Sequence, residues 1–132
     1  MKRITPSIVF GLKNNQIFVF GSNLKGHHDG GAARLAFQQF GAVYGKGIGS
    51  QGNSYAIPTM FDSHLEIKPY IDDFIREAKA NPELEFLVTE IGCGIAGFKA
   101  EQIAPLFMEA AELNNIYLPE KFWKLLERVG MC

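Results

Sequence analysis

Short apolar runs that end in glycine or proline alternate with segments of helical spacing along this chain, and this alternation limits the folds open to it. The run at 17–20, Ile-Phe-Val-Phe, is stopped by Gly21 and is aromatic or β-branched throughout, which is typical of a strand buried on both faces. Further strands are predicted at 55–58, 85–91 and 115–118, and one more before all of these at 7–12.

Segments with apolar residues at helical spacing separate these strands. Helices are predicted at 32–40, at 67–78, at 103–110 with a late start or a bend at Pro105, and after Pro119 up to Gly130. Strands joined by helices in this order favour a mostly parallel or mixed sheet with helices on both faces. We therefore expect an α/β fold, a three-layer α/β/α sandwich, formed by one domain over residues 1–132.

Composition argues against several classes of function. Thirteen Lys and Arg against fourteen Asp and Glu give a formal net charge of −1, which disfavours a protein that follows a nucleic-acid backbone. The chain has no run of about 20 apolar residues, so no membrane span is expected. Cys93 and Cys132 are too few for a disulfide framework, and we expect free thiols in the reducing cytoplasm.

Three glycine-rich loops, at 21–31, 45–52 and 92–98, adjoin the predicted strands. Ligands of open parallel sheets bind beyond the carboxyl ends of the strands. Glycine lets backbone amides approach an anion, and the first amides of a helix favour negative charge. Any one of these loops taken alone is better explained as a tight turn, but two at one end of a sheet shift the balance towards phosphate binding.

Two of these loops lie in segments that are similar in sequence to a known protein family. The segments IFVFGSNLKGHHDGGAARLA, from Ile17, and TEIGCGIAGFKAEQIAPLF, from Thr89, resemble the macrodomain family. Its members bind ADP-ribose and related NAD-derived nucleotides, and some hydrolyse ADP-ribosyl bonds. The likeness covers about 17–113 and includes Tyr-Ala-Ile-Pro-Thr at 55–59. Asn23 takes the place of the family's asparagine, and the matching loop residues are Gly30, Gly31, Gly94, Ile95, Gly97 and Phe98.

The resemblance implies a macrodomain-like sandwich and a role for each matched residue. Asn23 would bind hydroxyls of the distal ribose, the loop amides would neutralise the phosphates, and Phe98 would pack against the ribose. The implied ligand-binding set is Gly21, Ser22, Asn23, Gly30, Gly31, Gly92, Cys93, Gly94, Ile95, Ala96, Gly97 and Phe98. For Asn23 the alternative is a turn-forming residue that bonds nearby backbone.

The chain departs from the family pattern at identifiable positions. Family members usually carry, before the first motif, an acidic residue that reads the adenine amino group, and residues 1–16 contain none. Cys93 and Ala96 stand where the family often has a hydroxyl residue and an aromatic one. Hydrogen bonding and stacking in this loop are therefore expected to differ from the family's.

His27, His28 and Asp29 are the clustered titratable residues of the first loop. A histidine exchanges a proton near neutral pH, and a neighbouring carboxylate orients it or activates water. Asn23, His28 and Asp29 are thus the candidate catalytic residues of an ADP-ribosyl hydrolase or an ADP-ribose phosphoesterase. A solvated polar loop explains the cluster equally well, and a Cys93 nucleophile is a further alternative.

The expected partner is a small ADP-ribose-like nucleotide, with no nucleic acid, no membrane and no cofactor, and with self-association left open. No metal site is expected, because His64 lies in another loop and does not complete a ligand set. Two alternatives remain: a non-catalytic sensor that couples a nucleotide to a partner or to a homo-oligomer, and an interaction module whose glycine loops only form turns.

Overall fold

The computed structural model describes residues 2–128, which form an α/β fold around a mixed sheet. Over these residues the strands are β1 (Gln16–Ser22), β2 (Gly49–Gln51), β3 (Ser54–Pro58), β4 (Glu85–Val88) and β5 (Ile116–Tyr117). The helices are α1 (Gly31–Gln39), α2 (Lys68–Ala80), α3 (Ala100–Ile103) and α4 (Glu120–Arg128). The predicted α/β class is confirmed.

The sheet has the strand order β2-β3-β1-β4-β5. β1 pairs in parallel with β3 and β4, β4 pairs in parallel with β5, and β2 runs antiparallel to β3. β1 lies at the centre because its side chains are apolar on both faces: Phe18, Val19 and Phe20 are each at most 2% exposed. The parallel arrangement brings the carboxyl ends of β1, β3 and β4 to one edge.

Helices cover both faces of this sheet. Phe18 and Phe20 point to the face on which α1 buries Ala33 and Ala36. Val19 points to the opposite face, where α2, α3 and α4 enclose the larger core, which includes Phe74 from α2. No helix within residues 2–128 has the length and apolar character needed to cross a membrane.

The strand predicted at 7–12 is wrong. The segment has no regular structure, and nearby only Ile4 forms an isolated parallel bridge, to Leu118. Val9 still packs into the α1 side of the core, so its apolar character reflects burial rather than strand pairing. The predicted end of the last helix at Gly130 and the predicted free thiol of Cys132 lie outside the described residues.

The predicted strand 85–91 and helix 103–110 have different bounds in the structure. β4 ends at Val88 because the chain turns tightly, with the Ile91 amide donating to the Thr89 carbonyl at 2.7 Å. The helix is shifted towards the N-terminus: α3 ends at Ile103 and continues as 3-10 turns, because Pro105 has no amide to extend an α-helix.

Candidate functional site

A cavity of about 420 Å³ lies at the edge where β1, β3 and β4 end. Its size is within the range of small-molecule sites. Its wall consists of residues 21–23, 27, 29–33, 59–60, 89–92 and 94–96. The loops after β1 and β4 therefore meet around one space, as the position of their glycines predicts.

The N-terminus of α1 forms one wall of the cavity. Gly30 is the N-cap residue, and α1 has neither a side-chain cap hydrogen bond nor an acidic residue in its first turn. The amides at the start of a helix have no acceptor within the helix, and here no capping side chain supplies one. Gly31, Ala32 and Ala33 all line the cavity, so the uncapped start of α1, the kind of helix end that favours anions, lies beside this space.

The turn after β4 forms the facing wall. Within this turn the Gly97 amide donates to the Gly94 carbonyl at 3.0 Å, and the Phe98 amide donates to the Gly92 carbonyl at 2.9 Å. Gly97 adopts φ +80°, which favours glycine.

Three consecutive amides of this turn are unpaired. Across residues 2–128, the amides of Gly94, Ile95 and Ala96 have no backbone acceptor, and all three residues line the cavity. Successive unpaired amides in a turn form an anion-binding concavity.

The two walls approach each other at Gly30 and Ile95. A Cβ on Gly30 would lie 3.4 Å from Ile95 Cδ1, although Ile95 is 81% exposed. The extended backbone of Gly30, at φ −154° and ψ 165°, does not itself require glycine. The missing side chain at this position keeps the space between the two sets of amides open.

Asn23 lies in the cavity wall, but its side chain is bound to the backbone of its own loop. Its Nδ2 donates to the His27 carbonyl at 3.0 Å, and its Oδ1 accepts from the His27 amide at 2.9 Å. This is the turn-forming role that the sequence left open. One Nδ2 proton remains for a ligand.

His28 does not line the cavity. It is 1% exposed, its Nε2 lies 3.1 Å from the Lys46 carbonyl, and its ring packs edge-on against Phe20. Because a carbonyl only accepts, Nε2 carries the proton, and Nδ1 has no partner in the described part of the chain. The geometry therefore gives His28 a structural role beneath the loop at 21–31.

Asp29 lies in the cavity wall and is held by Tyr44, whose hydroxyl donates to Asp29 Oδ1 at 2.9 Å. This hydrogen bond is the main reason why the pKa of Tyr44 is raised. His27 also lines the cavity and stacks on the Tyr44 ring at 5.5 Å. Of the three predicted catalytic residues, the structure thus brings Asn23 and Asp29 to the cavity and leaves His28 outside it.

Ser22 lines the cavity, yet its buried hydroxyl is bound to the Gly47 carbonyl. Cys93, Gly97 and Phe98 do not line it. Cys93 is half-buried against the core, and burial, followed by the nearby Glu90, raises the pKa of its thiol. The Phe98 ring also packs against the core and is not part of the cavity wall.

Sequence reasoning missed the cavity residues Thr59, Met60, Thr89, Glu90 and Ile91. All five directly follow Pro58 or Val88, where strands β3 and β4 end. The rule that sites form at the carboxyl ends of parallel strands could have found them.

A second cavity, of about 760 Å³, adjoins the first. Ala32, Thr89 and Glu90 belong to the walls of both. The other wall residues are mostly apolar: Ile4, Pro6, Ile8, Val9, Phe18, Leu35, Val88 and Pro119, with Thr5, Ser7, Glu120, Lys121 and Lys124 as the polar members. The segment at 4–9, which was predicted in part as a strand, instead forms a wall of this cavity.

Among residues 2–128, no three His, Cys, Asp or Glu side chains are grouped closely enough to hold a metal ion. No protein-family model, curated protein or solved structure matches the chain. Its function is therefore proposed from the geometry of the two cavities.

Proposed function

We propose that this protein binds an ADP-ribose-like nucleotide at the carboxyl edge of its sheet, in a macrodomain-like α/β/α sandwich. The observation that carries the proposal is the pair of facing amide groups, at the start of α1 and in the turn Gly94–Ala96. Amides from two walls can bind the two phosphates of a diphosphate without a metal ion.

The charges of the smaller cavity favour a sugar phosphate over inorganic phosphate. Asp29 and Glu90 are in its wall, and no lysine or arginine of the described chain is. Carboxylates repel a free phosphate but accept hydrogen bonds from the hydroxyls of a ribose. The remaining Nδ2 proton of Asn23 provides a donor for the same sugar.

The second cavity supplies room for a base. Its wall is mainly apolar, and it shares the wall residues Ala32, Thr89 and Glu90 with the first cavity. A planar base gains from leaving water for such a wall, whereas phosphates do not. One ligand that occupies both cavities therefore carries phosphates at one end and a planar aromatic ring at the other, as a nucleotide does.

Hydrolysis of an ADP-ribosyl bond is a second candidate, favoured by the position of Asp29. Its carboxylate lies in the wall of the phosphate cavity and is oriented by the Tyr44 hydroxyl. A carboxylate held in this way can accept a proton from attacking water. His28, the predicted histidine partner of Asp29, is outside the cavity, and neither His27 nor Glu90 in the cavity wall forms a hydrogen bond with Asp29, so binding without turnover remains the primary proposal.

The proposal is tested by calorimetric titration of the full chain with ADP-ribose, ADP, AMP, NAD and ribose 5-phosphate. ADP-ribose is expected to bind most tightly, because it occupies both cavities and its phosphates contact the amides of both walls. Absence of binding by every compound would overturn the proposal. Release of product from ADP-ribosylated protein would add the hydrolytic function, and its loss in Asp29→Asn would assign the base.

A matched pair of variants separates anion binding from fold stability. In Gly30→Asp the new carboxylate caps α1 and places negative charge in front of the amides that bind phosphate. Gly30→Asn provides a similar cap without charge. ADP-ribose binding is expected to fall much further in Gly30→Asp than in Gly30→Asn, with both variants at least as stable as the wild type.

Gly11→Asp is the control for added charge, because a Cβ at Gly11 has no atom within 4 Å and Gly11 lines neither cavity. Equal affinity of Gly30→Asp and Gly30→Asn for ADP-ribose would contradict a phosphate site at α1.

A further inference from the structure

The loop after β1 contributes three polar residues to the wall of the first cavity: Asn23, His27 and Asp29, here called the loop group. Two hydrogen bonds between the Asn23 side chain and the backbone of His27 hold the loop, and the Tyr44 hydroxyl donates to Asp29 Oδ1 at 2.9 Å. Asn23 and Asp29 are therefore held in place before any ligand binds.

The loop group offers a ligand more hydrogen-bond acceptors than donors. Asp29 Oδ1 accepts from Tyr44, which leaves Oδ2 and its lone pairs for a ligand. The Tyr44 hydroxyl proton is used in this bond, and Asn23 retains one Nδ2 proton. The hydroxyls of a sugar can donate to such acceptors, whereas the charged oxygens of a phosphate only accept.

The two carboxylates of the cavity wall differ in their surroundings. Glu90 Oε1 lies 3.6 Å from Lys121 Nζ. Asp29 forms no ion pair within residues 2–128. The negative charge of Asp29 is therefore the less compensated of the two.

The lysines closest in sequence to the loop group do not supply the missing positive charge. Lys25 belongs to the same loop but not to the cavity wall, and Lys46 Nζ donates to the Ser50 carbonyl at 2.7 Å. A phosphate monoester carries a charge of about −1.5 to −2 at neutral pH, so the Asp29 carboxylate repels it. The amides of the two walls do not offset this repulsion, because in the proposed complex they bind the diphosphate.

We infer that Asp29 is a specificity-determining residue, which restricts the ligand to diphosphate nucleotides whose terminal sugar ends in a hydroxyl or in an uncharged linkage. A terminal sugar that carries a phosphate monoester is rejected. This assignment rests on the proposed function, since it requires the diphosphate to lie at the two amide walls. If the protein is a hydrolase, its substrates are then ADP-ribosyl glycosides or esters rather than phosphate esters of ADP-ribose.

The test compares ADP-ribose with ADP-ribose that carries a phosphate on the anomeric hydroxyl of its terminal ribose. Calorimetric titration of the full chain at pH 8 measures both affinities, because a protonated histidine in the wall would attract phosphate at lower pH. Wild type is expected to bind ADP-ribose at least about tenfold more tightly than the phosphorylated nucleotide, because the carboxylate repels the added phosphate.

Asp29→Asn removes the charge and keeps both the size of the side chain and an oxygen that accepts from Tyr44. This variant is expected to bind the phosphorylated nucleotide about three- to tenfold more tightly than wild type does. Its affinity for ADP-ribose is expected to be unchanged or up to about tenfold lower, because an amide oxygen is a weaker acceptor than a carboxylate. The preference between the two nucleotides therefore falls.

Asp62→Asn is the matched control, because it makes the same change in net charge at an exposed residue outside the cavity wall. It is expected to bind both nucleotides as wild type does. Asp29 is also exposed, so thermal unfolding is expected to show that both variants fold like wild type.

Equal affinity of the wild type for both nucleotides, or tighter binding of the phosphorylated one, would overturn the specificity. An Asp29→Asn variant that binds the phosphorylated nucleotide no more tightly than wild type would overturn the role of Asp29. In each of these cases the wild type still binds a nucleotide, so the proposed function would stand. If the wild type binds neither nucleotide, the proposed function fails, and the inference fails with it.

Discussion

Asn23 and His27 are joined by two reciprocal hydrogen bonds, in which the Asn23 side chain donates to the His27 carbonyl at 3.0 Å and accepts from the His27 amide at 2.9 Å. This pair closes the loop that leads from β1 towards α1. The Gly26 amide also donates to the Asn23 carbonyl at 2.9 Å, so the loop has a fixed shape. Asn23 thus shapes a cavity wall whether or not it also touches a ligand.

Asn23→Ala is expected to lower the free energy of unfolding by about 1 kcal/mol, because it removes both side-chain bonds at a partly exposed site. Chemical denaturation measures this loss. The affinity for ADP-ribose is expected to fall as well, since the loop loses its shape and a free donor. Asn14→Ala is the control, because no side-chain hydrogen bond of Asn14 is found in the described chain. Unchanged stability of Asn23→Ala would contradict the reciprocal pair.

Gly47→Ala is expected to be strongly destabilising. Its Cβ would lie 1.9 Å from the Asn23 carbonyl oxygen and 3.1 Å from the Gly26 amide nitrogen, both of which are backbone atoms. The loop after β1 would have to move, at a cost of about 3 kcal/mol or more. Gly11→Ala is the control, because its Cβ meets no atom within 4 Å. Thermal unfolding compares the two, and equal melting temperatures would contradict the close contact between the loops.

The elements that were predicted well from the sequence are those whose pattern of residues is itself sufficient to identify a helix or a strand. β1 follows from four consecutive aromatic or β-branched residues, and the apolar stripe of α2 from spacing alone. β2 was missed because Gly49–Gln51 has no strand pattern of its own, and it is a strand only through its pairing with β3.

The first cavity could be located from the ends of predicted strands, but the roles of single side chains within it could not. His28 and Asp29 are neighbours in sequence, yet one is buried under the loop and the other lies in the cavity wall. Thr5 lines the second cavity because its neighbour Ile4 forms a bridge with Leu118. These two bridged residues lie near opposite ends of the chain. Such a contact depends on the tertiary fold and has no local signal.

The phenol of Tyr44 is expected to titrate above its ordinary value near pH 10, because the hydrogen bond to Asp29 raises its pKa. Since the folded state favours the protonated phenol, this interaction stabilises the fold fully below pH 10. The stabilisation is lost as pH rises through the folded-state pKa.

Ultraviolet difference titration of wild type against Tyr44→Phe isolates this phenol. Asp29→Asn is expected to lower its pKa towards 10, whereas Asp62→Asn, which changes an exposed carboxylate outside the cavity, is expected to leave it unchanged. An Asp29→Asn variant with the wild-type pKa would contradict the Tyr44–Asp29 bond.

The thiol of Cys93 is expected to react slowly. Burial raises its pKa first and the nearby Glu90 second, so the reactive thiolate is scarce at neutral pH. Because the folded state favours the protonated thiol, its contribution to stability is complete below the ordinary thiol pKa and declines as pH rises through the raised value. Its Sγ also lies 3.5 Å from the Ile91 carbonyl and packs against the core, which limits access by a reagent.

Alkylation by iodoacetamide, followed by mass spectrometry in a Cys132→Ser variant, measures Cys93 alone. Its rate at pH 7.5 is expected to be several-fold lower in the folded protein than in the same variant in urea, and to rise with pH beyond the ordinary thiol range. A folded-state rate that equals or exceeds the rate in urea would contradict the raised pKa. That outcome would also return Cys93 to consideration as a nucleophile, whereas the expected outcome agrees with its position outside the cavity wall.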